Sequence, residues 1–433
     1  MTTDTLATAP AAPAAPDRGD RLILAAVLAA AVVGRLPSLG AWWTLDDWGL
    51  LARAAGTLPP EPGLPARWLG QHLWWSLTWP LFGLDAHVHA VLRILLHATS
   101  ALLVVRLARH AGLPPAGRLL AGLVFAATPL AFTPLAWAAG VQDLLSTTCA
   151  LGAVLCFAGP GRRRLAAAVV LALGSLTAKE VGLGLPVLMA GMLLFGDAEA
   201  RRPGDRPLAW AAVLFLMLAA AGEAILVVRH FGSGDGAYAT GDAITVLGNL
   251  GVFGFWMVSP GPVFASALTR PMAVGGGLLF VLWGAWAARG WRGGSRLPAA
   301  ALAAALLALA PALPLAHHLK PYLAYGAAAA GALALGRLMP RNLALRPAVL
   351  AAAALLAAIG SFTGMRARMG ARNEFGLPAD PVVRATALSW QTTHMLQDLQ
   401  FPGGDDALPH DVVLLQVPVE AEESAPAEDA ESG

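Results

Sequence analysis

The sequence predicts an all-α polytopic membrane protein, and three observations predict it. Of 433 residues, 57% are hydrophobic and only 13% charged, with a mean hydropathy of +0.62. A soluble domain carries about 25% charged residues, so this chain has too little polar surface to wet a protein of its size. Apolar runs of the length a crossing needs, about 20 residues, recur along the chain. Arginines gather in alternate connections, as they do in cytoplasmic loops. The net charge of +2 leaves no basic face for nucleic acid, and the composition excludes disordered and fibrous classes.

Residues 1–20 are rich in Ala and Pro and are expected to form a disordered cytoplasmic tail. The membrane domain is expected over 21–362, with apolar runs near 21–40, 88–106, 118–136, 141–158, 164–178, 182–196, 208–229, 272–289, 298–316, 321–338 and 347–362. The first run is short and Ala-rich like a signal peptide, but its arginine-flanked start and the many runs after it predict an uncleaved first helix. Arg106, Arg109 and Arg118 share one connection, and Arg162, Arg163 and Arg164 the next but one. Arg201, Arg202 and Arg206 follow, then Arg289, Arg292 and Arg296, then Arg337, Arg341 and Arg346. The alternation predicts eleven spans, with the N-terminus inside and the C-terminus outside. It holds only if the Gly-interrupted stretch 243–262, which ends in Pro260-Gly261-Pro262, is interfacial or re-entrant. Residues 363–418 are expected as a small extracytoplasmic α/β region, with a helix near 381–400 and a strand-like run at Val412–Leu415. An acidic disordered tail, 419–433, closes the chain.

Cys149 and Cys156 lie two helical turns apart on one face, too far along the axis to bridge, and read as packing residues. The first outer loop, 41–87, holds seven of the fourteen tryptophans, Trp42, Trp43, Trp48, Trp68, Trp74, Trp75 and Trp79. Tryptophan favours the membrane–water interface, so this loop is expected to lie along the membrane as amphipathic helices. An aromatic belt does not account for Asp46-Asp47 at its start.

Other ionisable residues fall at the predicted outer ends: Asp85, His87, His89, Arg93, His97, Asp143, Lys179, Glu180, Glu223, Arg229, His317, His318 and Lys320. Charges in or beside spans cost a few kcal/mol unless paired or solvated, so a one-sided cluster points to a shared water-filled site. Lys179 and Lys320 are the only two lysines among the 29 basic residues, and both fall on that side. An anionic ligand such as phosphate or diphosphate would explain them. The bland alternative pairs Lys179 with Asp143 or Glu180 and sends Lys320 to lipid phosphates. His89, Arg93 and His97 share one helix face, which fits hydrogen bonding inside the bundle better than a metal site.

An apolar first helix followed by a loop opening with Asp-Asp resembles the C-type membrane glycosyltransferase superfamily. Three stretches are similar to its branch of protein O-mannosyltransferases and their transmembrane, TPR-bearing relatives. They are His87 to His97; Thr128-Pro129 through Gln142-Asp143-Leu144-Leu145; and Ala178-Lys179-Glu180 running to Leu185-Pro186. A fainter likeness is His318-Leu319-Lys320-Pro321-Tyr322-Leu323-Ala324-Tyr325. The resemblance covers about residues 20–340, and the order of the motifs carries it. Lys320 stands where the pattern usually has arginine, Gln142 where a basic residue is common, and no TPR array follows.

The resemblance implies an inverting, extracytoplasmic sugar transfer from a polyprenyl-phosphate sugar to a protein, lipid or glycan acceptor. An acceptor hydroxyl needs a positioned carboxylate to take its proton, and Asp46 or Asp47 fits that role. The leaving phosphate needs a preorganised cation, for which Lys179, Arg229 and Lys320 are the candidates. Asp143, Glu180, His87, His89, Arg93 and His318 would support the site. If a divalent metal takes part, Asp46 and Asp47 are its expected ligands, helped by His87 or His89. A transporter of an anionic or lipid-linked substrate and a non-catalytic scaffold of the same fold are the alternatives. The dominance of alanine and arginine suggests a GC-rich bacterial genome, hence an inner-membrane protein facing a periplasm.

Overall fold

The computed structural model describes residues 18–59, 65–196, 205–231, 238–259, 270–343, 345–373 and 375–400. In chain order the α-helices are α1 (Arg18–Val33), α2 (Asp46–Ala54), α3 (Trp74–Phe82), α4 (Ala86–His110), α5 (Pro115–Ala126), α6 (Phe132–Ala136), α7 (Val141–Ala158) and α8 (Arg162–Ala178). Then come α9 (Leu185–Phe195), α10 (Arg206–Phe231), α11 (Ala243–Val258), α12 (Arg270–Arg292), α13 (Leu297–Leu309), α14 (Tyr325–Gly336), α15 (Pro347–Gly370) and α16 (Pro381–Gln400). Among the described residues there is no strand, only two isolated bridges, Thr240 with Leu315 and Arg372 with Pro378. The run Val412–Leu415 lies outside the described residues.

Among the described residues, seven helical stretches are long and apolar enough to cross a membrane: Arg18–Gly40, Ala86–His110, Pro115–Ala136, Ala138–Ala158, Arg206–His230, Arg270–Arg292 and Pro347–Gly370. The protein is therefore a helical polytopic membrane protein. Shorter apolar helices, Glu180–Phe195, Ala243–Val258 and Leu297–Leu309, pack among them. Proline opens α5, α9, α13 and α15 within the first turn, where its missing N–H removes no helical bond. Small residues dominate the buried faces. Ala98, Ala101 and Ala108 of α4 meet Ala121 and Ala126 of α5 and the alanines of α14 in the main core. A second core joins α7 to α10 through Phe157, Leu165, Met189 and Leu216. Without a hydrophobic driving force between helices in lipid, close backbone approach of this kind is what holds a bundle together.

The two ends of the bundle differ in chemistry. At one end Asp20 of α1 pairs with Arg109 at 2.9 Å and Arg118 at 2.6 Å. At the same end Arg296 donates to Phe195 O, and Arg162 lies 3.8 Å from Asp205. The arginine-bearing turns thus converge on one another. Asp20, expected in a loose tail, is instead 8% exposed inside α1. Its two arginine partners explain the earlier helix start.

Helices α11 and α12 run parallel. A methyl at Gly251 would collide with Ala273 O, and one at Gly254 with Gly276 O, so the two helices advance together. The Asn249 amide donates to Leu313 O and Leu315 O, each at 2.9 Å. Both helices therefore start at the end opposite the arginine turns.

Candidate functional site

The site is built on the turn that starts α2. Thr44 to Asp47 closes with the Asp47 N–H donating to Thr44 O at 3.0 Å. Leu45 sits at φ 50, ψ −124, the first central position of a type II′ turn, where glycine is the usual residue. It is the one described non-glycine residue with positive φ. The Asp47 carboxylate locks this turn. One oxygen accepts the Thr44 N–H at 2.9 Å and the other the Ala139 N–H at 2.6 Å. Asp47 is wholly buried. Burial pushes its carboxyl up to about 7, against the pull of the two N–H donors and of Arg93, whose Nε donates to Leu135 O at 3.0 Å.

Asp46 faces the other way and is exposed. Burial of its surroundings raises its carboxyl, opposed by Arg67, Arg53 and Lys179. Both oxygens of Asp47 are engaged and none of its surface reaches solvent. Asp46 is the carboxylate that can meet a ligand.

The other walls come from distant parts of the chain. A turn of π-helix, Trp68–Leu73, lies against the start of α7 and the end of α8. Gly70 permits this, since a methyl there would strike the Gln142 side chain and Ala178 O. That docking brings Arg67 Nε to 2.6 Å from a Glu180 carboxylate oxygen. Lys179, extended at the end of α8, places its Nζ 2.7 Å from Asp143 and 4.7 Å from the centre of the Tyr322 ring. The Arg67 guanidinium lies 6.0 Å from the Tyr238 ring centre, and Tyr238 stacks on His318 at 4.8 Å. His318 Nε2 and the Tyr322 hydroxyl are 3.1 Å apart. Burial, with Lys320, Lys179 and Arg67 nearby, lowers His318 to about 4, so its ring is neutral at pH 7. Glu223 of α10 accepts the Ala66 N–H. The outcome is a layered cluster of paired charges and aromatic rings, with Asp46 and Lys320 exposed at its edge.

The structure thus brings together Asp46, Asp143, Lys179, Glu180, His318 and Lys320. It does not bring Arg229, which is exposed near the end of α10 and makes no ion pair among the described residues. Asp85 caps α4, accepting from the N–H groups of His87 at 3.0 Å and Val88 at 3.1 Å. The His87 ring meets Leu39 O at 2.7 Å. His89 is buried among Trp43, Trp75 and Phe82. Neither histidine hydrogen-bonds to Asp46 or Asp47. Among the described residues no three His, Cys, Asp or Glu side chains gather to hold a metal ion. His97 bridges Ala126 O at 3.0 Å and the Tyr325 hydroxyl at 2.8 Å, a tie inside the bundle. Lys179 does pair with Asp143, so its charge is partly answered by the protein itself.

No sequence pattern marks Arg67 or Tyr238 for this site, and Tyr322 is marked only as part of the family-like stretch His318 to Tyr325. A usable signal existed for the tyrosines: the chain has three, against fourteen tryptophans, and two of them stand in this cluster. Nothing in the sequence marks Arg67 apart from other loop arginines.

The fold and the site define a polytopic helical membrane protein with an ion-paired, aromatic-lined cluster at the end opposite its arginine turns. No protein-family model matches the chain, and no curated protein matches it.

Proposed function

We propose that the protein is a membrane glycosyltransferase that moves a sugar, with inversion, from a polyprenyl-phosphate-linked donor to a protein, lipid or glycan acceptor. On this reading α1, α4, α5 with α6, α7, α8, α9, α10, α12, α13, α14 and α15 make eleven crossings. The segment α11 enters from the outer side and returns to it, which its parallel course beside α12 supports. The arginine turns then face the cytoplasm of a bacterial cell, and the cluster and α16 face outward.

The observation that carries the reading is exposed Asp46 beside the Arg67–Glu180 and Lys179–Asp143 ion pairs, whose cations act on its carboxyl. Asp46 takes the proton of the acceptor hydroxyl as its oxygen attacks the sugar's anomeric carbon. The bond from that carbon to the phosphate oxygen breaks, and its electron pair stays with the phosphate. Lys320, Lys179 and Arg67 stabilise the developing charge. Their partners Asp143 and Glu180 hold two of these cations in place beforehand, so little reorganisation is needed when charge appears. His318, neutral at pH 7, serves as a hydrogen-bonding group rather than a further cation. The tryptophans and tyrosines offer flat apolar surfaces to a sugar ring.

The test is label transfer. Membranes holding the wild-type protein, given radiolabelled polyprenyl-phosphate sugars, transfer label to an endogenous acceptor. Absence of transfer from every such donor would contradict the proposal and favour a transporter or a non-catalytic scaffold.

A further inference from the structure

Leu45 is held in a backbone conformation that suits glycine, at a cost of about 1–3 kcal/mol for a residue with a Cβ. The chain places glycine at the same angles elsewhere. Gly83 has φ 49, ψ −128 in the turn that starts α4. Packing does not repay the strain at Leu45. Its side chain is 52% exposed, and it belongs to none of the buried apolar clusters among the described residues. The neighbouring Trp43 and Leu51 fill the core below. The local structure nevertheless over-determines the turn, through both oxygens of Asp47. Helix α2 packs against the Trp68–Leu73 segment that follows Arg67, so a strained, exposed apolar side chain stands beside Asp46 at the edge of the ion-paired cluster. The combination suits an amphiphile whose phosphate lies on Lys320, Lys179 and Arg67 and whose first apolar segment lies on Leu45.

We infer that Leu45 is a specificity-determining contact for the apolar chain of a lipid phosphate bound at this site. The inference rests on the proposed donor class and assigns that donor a chain-reading residue. Glycine at position 45 would relieve the strain and remove the contact; alanine would keep the strain and remove most of the contact. A side chain that touches bilayer lipid alone would change neither chain recognition nor competition.

The experiment uses full-length protein in detergent micelles and measures binding of farnesyl phosphate by tryptophan fluorescence, with inorganic phosphate as competitor. Wild type binds farnesyl phosphate, and phosphate displaces it. Leu45→Gly and Leu45→Ala bind farnesyl phosphate about tenfold more weakly, the scale of one shared apolar contact. Their competition constants for inorganic phosphate are unchanged. Leu45→Gly also unfolds at a higher temperature than wild type, and Leu45→Ala does not. Farnesyl phosphate binding by both variants at wild-type strength would overturn the role of Leu45 while leaving the donor class intact. Wild type that binds neither probe would overturn the donor class and the inference together.

Discussion

Residues 41–87 make the same turn twice, and the two copies differ in the residue at the first central position and in what the closing aspartate does. Phe82 to Asp85 closes with the Asp85 N–H on Phe82 O at 3.0 Å, carries Gly83 at the first central position, and spends its aspartate on capping α4. Thr44 to Asp47 closes the same way but carries Leu45, and its last aspartate is buried as a clamp. The first turn is ordinary helix-starting chemistry. The second stores strain and holds it with a buried carboxylate, and it presents the adjacent Asp46 to the charged cluster. Strain of this kind persists only where surrounding structure enforces it, and here the enforcing group is Asp47.

Removing the clamp has the largest effect. Asp47→Ala leaves the buried N–H groups of Thr44 and Ala139 without a partner and Arg93 without its counter-charge. A loss of about 3–5 kcal/mol is expected, read as a fall in unfolding temperature in detergent. Exchanging the turns' chemistry comes next. Gly83→Leu imposes on the capping turn the strain that Leu45 bears, without a clamp to hold it, and should destabilise by about 1–3 kcal/mol. If Gly83→Leu is neutral, the conformation is not costly in this loop and the comparison fails. The pH dependence is smaller. Asp47 is held at about 7 when folded, above the ordinary carboxylate value of about 4. The folded protein therefore binds more protons than the unfolded chain between those values, and stability falls as pH rises through that window and levels off above it. Asp47→Asn should flatten this slope in unfolding measured at pH 5 and pH 8.

Much of this arrangement was legible in the residues. Apolar runs and arginine turns mark the helices and the two ends, because lipid leaves the backbone no other way to satisfy its hydrogen bonds. Asp46, Asp143, Lys179, Glu180, His318 and Lys320 are placed together by the apolar runs and the arginine alternation, along with residues such as Arg229 that stand apart from the cluster. The roles of the two aspartates were not legible. Successive residues on a helix point about 100° apart, so which one faces the core depends on how α2 docks against Ala139, a contact across 92 residues of sequence. Arg67 and Tyr238 lie in polar loop segments with no periodicity to fix their direction. The outward course of Arg229 depends on the rotation of α10, whose apolar residues surround its whole circumference and leave no stripe to orient it.

The most direct test of the account compares Asp46→Asn with Asp47→Asn in the label-transfer assay, corrected for the amount of folded protein. Asp46→Asn should fold like wild type and lose about a hundredfold or more of the transfer rate, and Asp47→Asn should lose mainly stability. Full transfer by Asp46→Asn, per folded molecule, would contradict the assignment of the exposed carboxylate as the base.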